Sequence, residues 1–354
     1  MTQATHAIRF TYLSQEDLLE AGCLDFRLAI GAASSALLAH RNGDVMFPEK
    51  IVQIFNQETQ ERINCLPATL LPEKVCGMKW VSVFPPNVPR FGLQNLTALF
   101  ILSEIEKGFP IAVLEGTLAS NIRVGAMGAL AAKHFAPTDA RVIGFIGSGE
   151  QAKMHLLAMK TACPTLAECR VSAKTAEEGQ EFVRELAPLV PDMELVAAGT
   201  DGARAMEGAD ILVTATSAQA HLLKAGWMKH GSFYSHVGGW EDEYAVARQC
   251  QKIVCDDWET VKHRTQTLSR MYKDGELTDA DIHGNLDEVV AGVKPGREAD
   301  DERVYFNAVG LAFVDVAIAL AMYRRAVEAG KGRELTMQET IIFDHPNMAE
   351  YVRW

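Results

Sequence analysis

The segment Val142-Ile143-Gly144-Phe145-Ile146-Gly147-Ser148-Gly149-Glu150-Gln151-Ala152 joins an apolar run to a turn of small residues. Gly147, Gly149 and Ala152 match the spacing G-x-G-x-x-A. The first glycine permits a tight turn, and the second lets backbone approach a pyrophosphate. The small third residue lets a helix pack closely on a strand. A helix opening at Glu150 aims free N–H groups and the positive end of its dipole at an anion. Ser148, Glu150 and Gln151 complete the loop. A structural glycine turn is the bland reading. The strand before it and the helix after it favour dinucleotide binding.

The next strand bears on which dinucleotide. It ends Arg170-Val171-Ser172-Ala173-Lys174-Thr175, with no acid to accept from a ribose 2′-OH. Ser172, Lys174 and Thr175 are groups that bind a 2′-phosphate. NADP(H) is therefore favoured over NAD(H), against the alternative of a solvated lysine in a loop.

Other residues suit an acidic small molecule. Gly77-Met78-Lys79-Trp80-Val81 puts a lysine inside an apolar strand, where it either snorkels or is buried for a purpose. Desolvation between Met78 and Trp80 would make Lys79 a proton carrier. Arg123 stands just before the Ala/Gly-rich stretch Gly125–Lys133, and its fork of donors suits a carboxylate. Each alone is more often structural. His236-Val237-Gly238-Gly239-Trp240-Glu241-Asp242 follows another strand, where open α/β sheets bind ligands. Gly238 and Gly239 permit close approach to a coenzyme ring, and Asp242 is a second candidate proton carrier. His230, His236, His263 and His283 lack ligand spacing, so no metal is expected. Asp315, inside an apolar helix, reads equally as a buried polar contact or a functional group.

These residues need elements to hold them. From Arg141 onward, apolar strands alternate with helices: Arg141–Ile146, Glu168–Ser172, Glu194–Ala198, Ile211–Ala215, Ser232–Val237 and Gln251–Cys255, with helices over Glu150–Lys160, Ala176–Leu186 and Asp201–Glu207. Such alternation implies βαβ units and a parallel sheet. The expected fold is α/β, a Rossmann-type doubly wound parallel sheet over residues 126–307. A second, α+β domain, read as the substrate side, takes residues 1–125 and 308–354. Within it, Asp17–His40 reads as one amphipathic helix and Asn95–Glu106 as another. Lys50–Phe55, Glu61–Leu66, Val75–Val83 and Ile111–Leu114 read as strands. Residues after Gly330 read as an extension.

Composition agrees. The 354 residues are 48% hydrophobic and 23% charged, enough for a large core and against disorder. The net charge of −12 opposes nucleic-acid binding. Seven cysteines without a C-x-x-C pair read as reduced thiols in a cytoplasmic protein. No signal peptide or membrane span is expected.

An ordered series of segments resembles the ornithine cyclodeaminase/mu-crystallin family. It comprises GMKWVSVFPPN (77–87), GFPIAVLEGTLASNIRVGAMGALAAKHFA (108–136), IGFIGSGEQA (143–152), ADILVTATS (209–217), HVGG (236–239), VCDDWE (254–259), GNLDEVVAGVKPGR (284–297) and FNAVGLAFVDVAIA (306–319). The resemblance implies a homodimer formed through the N-terminal domain, a Rossmann domain carrying NAD(P), and chemistry at the C–N bond of an α-amino acid. It implies that Lys79 and Arg123 contact the substrate carboxylate. Gly147, Ser148, Gly149 and Gln151 match the pyrophosphate loop, and Thr214, Ala215 and Thr216 the stretch lining the cofactor. Lys50 matches an early arginine of the family, and Arg62 opens a segment that resembles the dehydrogenase branch. Both are candidates for substrate contacts.

Cyclodeaminases carry an aspartate directly after the Gly-Gly pair, where this chain has Trp240. Their Arg-Thr-Ala-Ala is here Arg123-Val124-Gly125-Ala126, and their glutamate before a Met/Leu-Pro pair is matched by Asn64 or Cys65. The segments 62–67, 77–80, 254–258 and 295–302 resemble the amino-acid dehydrogenase and imine reductase branch. That branch implies an NAD(P)-dependent oxidoreductase on amino, imino or keto acids. A cyclodeaminase with tightly held NAD and a non-catalytic NADP-binding crystallin remain the alternatives.

Overall fold

A computed structural model describes residues 7–354. The chain divides into two compact units. Residues up to Asp25, Asp44–Ala119 and Asp315–Trp354 form the first, while Phe26–Gly43 and Ser120–Val314 form the second.

The first unit is built on an eight-stranded sheet. Its strands run in the order Arg333–Gln338, Ile8–Leu13, Pro110–Glu115, Leu96–Glu104, Val75–Val83, Glu61–Leu70 and Val45–Met46, with Ile51–Asn56 also paired to Glu61–Leu70. All pairings are antiparallel except that of Ile8–Leu13 with Pro110–Glu115. Side chains alternate across it. Gly77, Lys79 and Val81 are buried, as are their neighbours Ala98, Phe100 and Leu102, while Trp80, Leu99 and Ile101 point the other way and are exposed.

Two expectations fail here for physical reasons. Asn95–Glu106 is not a helix but contains the strand Leu96–Glu104. Its outward residues Leu99 and Ile101 are as apolar as its inward ones, so no polar face betrays the period of two. Asp17–His40 is two helices, Gln15–Glu20 and Phe26–Arg41. Gly22 breaks them, with φ of 73° that a side chain would resist, and Ser14 and Asp17 cap the first with a reciprocal box. The second helix belongs to the other unit. There its His40 meets Asp287 at 3.2 Å and stacks on Phe313.

The second unit holds eight parallel strands in the order Glu194–Ala197, Glu168–Ser172, Val142–Ile146, Ile211–Thr214, Phe233–His236, Val304–Asn307, Lys252–Cys255 and Gly284–Asn285. Ile211–Thr214, Phe233–His236, Lys252–Cys255 and Val304–Asn307 are buried at every residue, which requires cover on both faces. Chain order reverses between Val142–Ile146 and Ile211–Thr214. That is the switch point at which open α/β sheets bind ligands. The unit boundaries fall at 119/120 and 314/315 rather than at 125/126 and 307/308. They lie inside the helices Thr117–Phe135 and Ala312–Glu328, and helix interiors carry no loop signature in sequence. The expected extension is partly sheet: Arg333–Gln338 is the edge strand beside Ile8–Leu13. Among the described residues no helix is long and apolar enough to cross a membrane, and no group of His, Cys, Asp or Glu is arranged to hold a metal.

Candidate functional site

A cavity of about 850 Å³ opens at the switch point of the second unit. Gly147, Ser148, Gly149, Ser172, Lys174, Ala215 and Thr216 line it, with Lys153, Glu178, Glu181, His221 and Trp227 farther along. Gly147 has φ of 108°, and a Cβ there would lie 2.5 Å from the Ala215 carbonyl oxygen. No side chain fits at this turn without moving backbone. The Gly147 N–H donates to the Ser172 carbonyl at 2.8 Å, fixing the turn against the next strand. Gly149 is the N-cap of helix Glu150–Ala162 and has open space at its Cβ position. The free N–H groups of that first turn are a ready anion site. Ala152, the third small residue, is fully buried.

Several expected cofactor residues do not line this cavity. Gln151 donates instead to Asn121 at 2.9 Å. Glu150 pairs with Lys153 at 2.9 Å, and Thr175 accepts from the Glu178 N–H as a helix cap. The Thr214 hydroxyl is bonded to Tyr234 at 2.7 Å, beneath the sheet edge. Val237, Gly238 and Gly239 form the adjacent turn, tied to the lining residue Thr216 through Glu241. Its Oε1 accepts from the Thr216 N–H at 2.6 Å and its Oε2 from the Gly238 N–H at 2.8 Å. Trp240 packs edge-on against His221, which lines the cavity, and Arg270 lies over its ring at 4.4 Å.

Asp242 is a correction. Its carboxylate is sealed from solvent and accepts from the hydroxyls of Thr267 at 2.6 Å and Tyr305 at 3.0 Å. Burial pushes the Asp242 carboxyl up, against lowering pulls from His236, Thr267 and Tyr305. The carboxylate thus faces two buried hydroxyls and does not line the cavity. The residue that sequence reasoning left undecided is Asp315. In the first unit its Oδ2 lies 2.6 Å from Lys79 Nζ, with side chains 1% and 5% exposed. Gly77 makes that pairing reachable, since a Cβ there would lie 2.7 Å from Val316. The helix thus sits directly on the strand, one residue from Asp315. Met78 and Trp80 do not enclose Lys79, because alternation sends them to the opposite face. The signal available in sequence was an acid in an apolar helix and a lysine in an apolar strand, each needing a partner.

Arg123 lies within helix Thr117–Phe135, not before it. Its guanidinium lies against Gly310, where a Cβ would meet it at 2.7 Å. Asp256 holds that turn, its Oδ2 accepting the N–H groups of Val309 and Gly310 at 2.9 and 2.8 Å. Burial pushes the Asp256 carboxyl up to about 6, opposed by those backbone donors. Lys50 precedes the exposed strand Ile51–Asn56, and Arg62 donates to the Gln60 carbonyl at 2.8 Å.

The chain belongs to the ornithine cyclodeaminase/mu-crystallin family, whose model matches residues 13–330. Over 311 residues it is 31% identical to the alanine dehydrogenase of Archaeoglobus fulgidus, covering 87% of this chain and 92% of that protein. It is 26% identical to the N-((2S)-2-amino-2-carboxyethyl)-L-glutamate dehydrogenase of Staphylococcus aureus, covering 92% and 98%. Among solved structures, the Δ1-pyrroline-2-carboxylate reductase of Thermococcus litoralis, in complex with NADH and L-proline, superposes with a TM-score of 0.86 at 29% identity. That match covers 92% of this chain and 99% of the reductase. An archaeal alanine dehydrogenase dimer with bound NAD gives a TM-score of 0.85 at 29% identity, covering 94% and 100%.

Proposed function

We propose that this protein is an NAD(P)-dependent oxidoreductase acting on the C–N bond of a small α-amino or α-imino acid. The observation that carries the reading is the Gly147 turn, closed to any side chain, at the helix N-terminus beside an 850 Å³ cavity. The residues present fit a nicotinamide coenzyme: Gly147, Ser148 and Gly149 would hold its pyrophosphate, and Ala215 and Thr216 the neighbouring wall. Bound there, the coenzyme supplies the hydride acceptor or donor. The chain's own contribution is charge and position. Lys79 binds the substrate carboxylate and exchanges the amine proton, while Asp315 holds Lys79 in place. Arg123 is the second cation for the acid group, and Lys50 and Arg62 serve its more distant polar atoms.

NADP(H) is the preferred form in this reading, because Lys174 lines the cavity and no acid ends the second strand. The protein is also read as a cytoplasmic homodimer, joined through the exposed apolar face of its first sheet. Its seven free cysteines accord with a reducing compartment.

Absorbance at 340 nm tests the reading, with amino acids plus NAD+ or NADP+, and with keto acids plus ammonia or cyclic imines plus NADH or NADPH. Coenzyme turnover with at least one pair is expected. Release of ammonia from a diamino acid without net coenzyme change would mark a cyclodeaminase instead. Tight coenzyme binding without turnover of any pair would mark a binding protein.

A further inference from the structure

Gly238, itself half-buried, joins a chain of hydrogen bonds that runs into the interior of the second unit. Its N–H donates to Glu241 at 2.8 Å, and its carbonyl accepts from the Gln266 amide at 2.8 Å. The same amide nitrogen donates to the Ala308 carbonyl at 3.2 Å. The Gln266 amide oxygen accepts from Asn307 at 2.8 Å, and Asn307 Oδ1 is bonded to His236 Nδ1 at 2.9 Å. Gln266 is 7% exposed and stands at the N-cap of helix Thr267–Lys273, yet its side chain does not cap that helix. The amide is spent inward, on two backbone carbonyls from different turns.

Those two turns differ in what they adjoin. Gly238 shares Glu241 with Thr216, a wall of the cavity. A Cβ on Gly238 would lie 2.5 Å from the Thr216 carbonyl oxygen, so the two segments cannot shift independently. Ala308 leads into Val309 and Gly310, the turn that Asp256 grips and against which the Arg123 guanidinium lies. Gln266 is thus one buried side chain joining the cavity wall to the support of Arg123. A neutral amide fits this place: it donates to two half-buried carbonyls and accepts from the buried Asn307 amide, and an amide side chain offers both.

We propose that Gln266 is a positioning residue that couples the two turns, so that coenzyme binding beside Gly238 orders residues 308–310 and with them Arg123. The inference rests on the oxidoreductase reading for its substrate arm, but its main readout needs no turnover.

The test is hydrogen–deuterium exchange on the full-length protein, followed at the peptide covering residues 305–312, with and without NADH. In the wild type, NADH slows exchange there by about fivefold or more, the lower end of ordinary site-to-site coupling. In Gln266→Met, which keeps volume and loses both donations, that response disappears. In Gln266→Glu, which keeps only the acceptor for Asn307, it disappears as well. The amino-acid KM at saturating coenzyme rises about tenfold in either variant, while NADH affinity falls by no more than about the fivefold that the lost coupling is worth. A merely structural staple would raise both together or neither. A wild-type peptide indifferent to NADH overturns the proposal without any variant. So does a response that survives in Gln266→Met, or an NADH affinity that falls as far as the KM rises. A wild type that turns over no amino or imino acid removes the oxidoreductase reading and leaves the exchange result to decide this one.

Discussion

The two sheets of this molecule bury themselves differently. Strands Ile211–Thr214, Phe233–His236 and Val304–Asn307 of the parallel sheet are enclosed at every residue by their own chain. The antiparallel sheet is enclosed on one face only. Its other face presents Trp80, Leu99 and Ile101, which are 39%, 44% and 38% exposed. A contiguous apolar face of this kind marks a surface meant for contact. The polar groups differ too. In the parallel unit the buried carboxylates of Glu241 and Asp242 accept from amides and hydroxyls, whereas in the antiparallel unit Asp315 faces an ammonium. The contrast is that one sheet is covered on both faces by its own chain, while the other leaves an apolar face exposed and buries an ion pair beneath its covered face.

The largest expected effect is on that face. If the proposed dimer forms there, Leu99→Asp with Ile101→Asp sets two charges per chain into its interface, at several kcal/mol each. At about 1.4 kcal/mol per decade, the dimer should weaken by more than about a thousandfold and sediment as a monomer. A dimer of unchanged affinity would break the contrast between the sheets.

The charge pair comes next. Lys79→Ala should lower turnover by about a hundredfold to ten-thousandfold, the range for a lost proton carrier, with coenzyme binding unchanged. The single variant also leaves Asp315 buried without its cation, at a folding cost of about 3–5 kcal/mol. Lys79→Met combined with Asp315→Asn should restore the melting temperature and leave turnover low. Near-normal turnover in either variant would remove Lys79 from the chemistry.

In the parallel unit the expected effect is on stability against acid. Burial pushes the His155 imidazole down to about 4 from its ordinary value of 6.5, against the raising effect of its hydrogen bond to the Gln151 carbonyl. The unfolded chain binds a proton there below pH 6.5 and the folded one only below about 4. Stability is therefore full above pH 6.5 and falls as the solution is acidified toward 4, by about 3 kcal/mol. Urea melts at several pH values should show this slope, and His155→Leu should lose it. The smallest effect is on coenzyme choice. Lys174→Ala should raise the KM for NADPH about tenfold, one charge-assisted hydrogen bond, and leave that for NADH unchanged. A clear NADH preference in the wild type would refute the phosphate-binding role.

The same difference between the sheets set what could be read from sequence. Strands buried on both faces are short and largely apolar, so Val142–Ile146, Ile211–Thr214, Phe233–His236 and Lys252–Cys255 stood out, while Val304–Asn307, equally enclosed, was not read as a strand. Leu96–Glu104 did not, because its exposed face is written in the same apolar alphabet as its buried one. The phosphate turn was legible because only glycine meets its geometry. Asp242 was misplaced because a carboxylate after a glycine pair looks the same whether it faces a ligand or two buried hydroxyls. The pairing of Lys79 with Asp315 spans more than two hundred residues, and neither residue names the other.

The edge strand Arg333–Gln338 lies against Ile8–Leu13, with Arg9 and Glu334 bonded across it at 3.1 Å. An early strand is therefore completed by one that follows it about three hundred residues later in the chain. All the strands of the parallel sheet are synthesised before the first unit's sheet can close. Ile8–Leu13 must wait, unpaired on one side, for Arg333–Gln338. Truncation before residue 333, or a bulky fusion placed there, would leave that waiting edge open to a neighbour's strand.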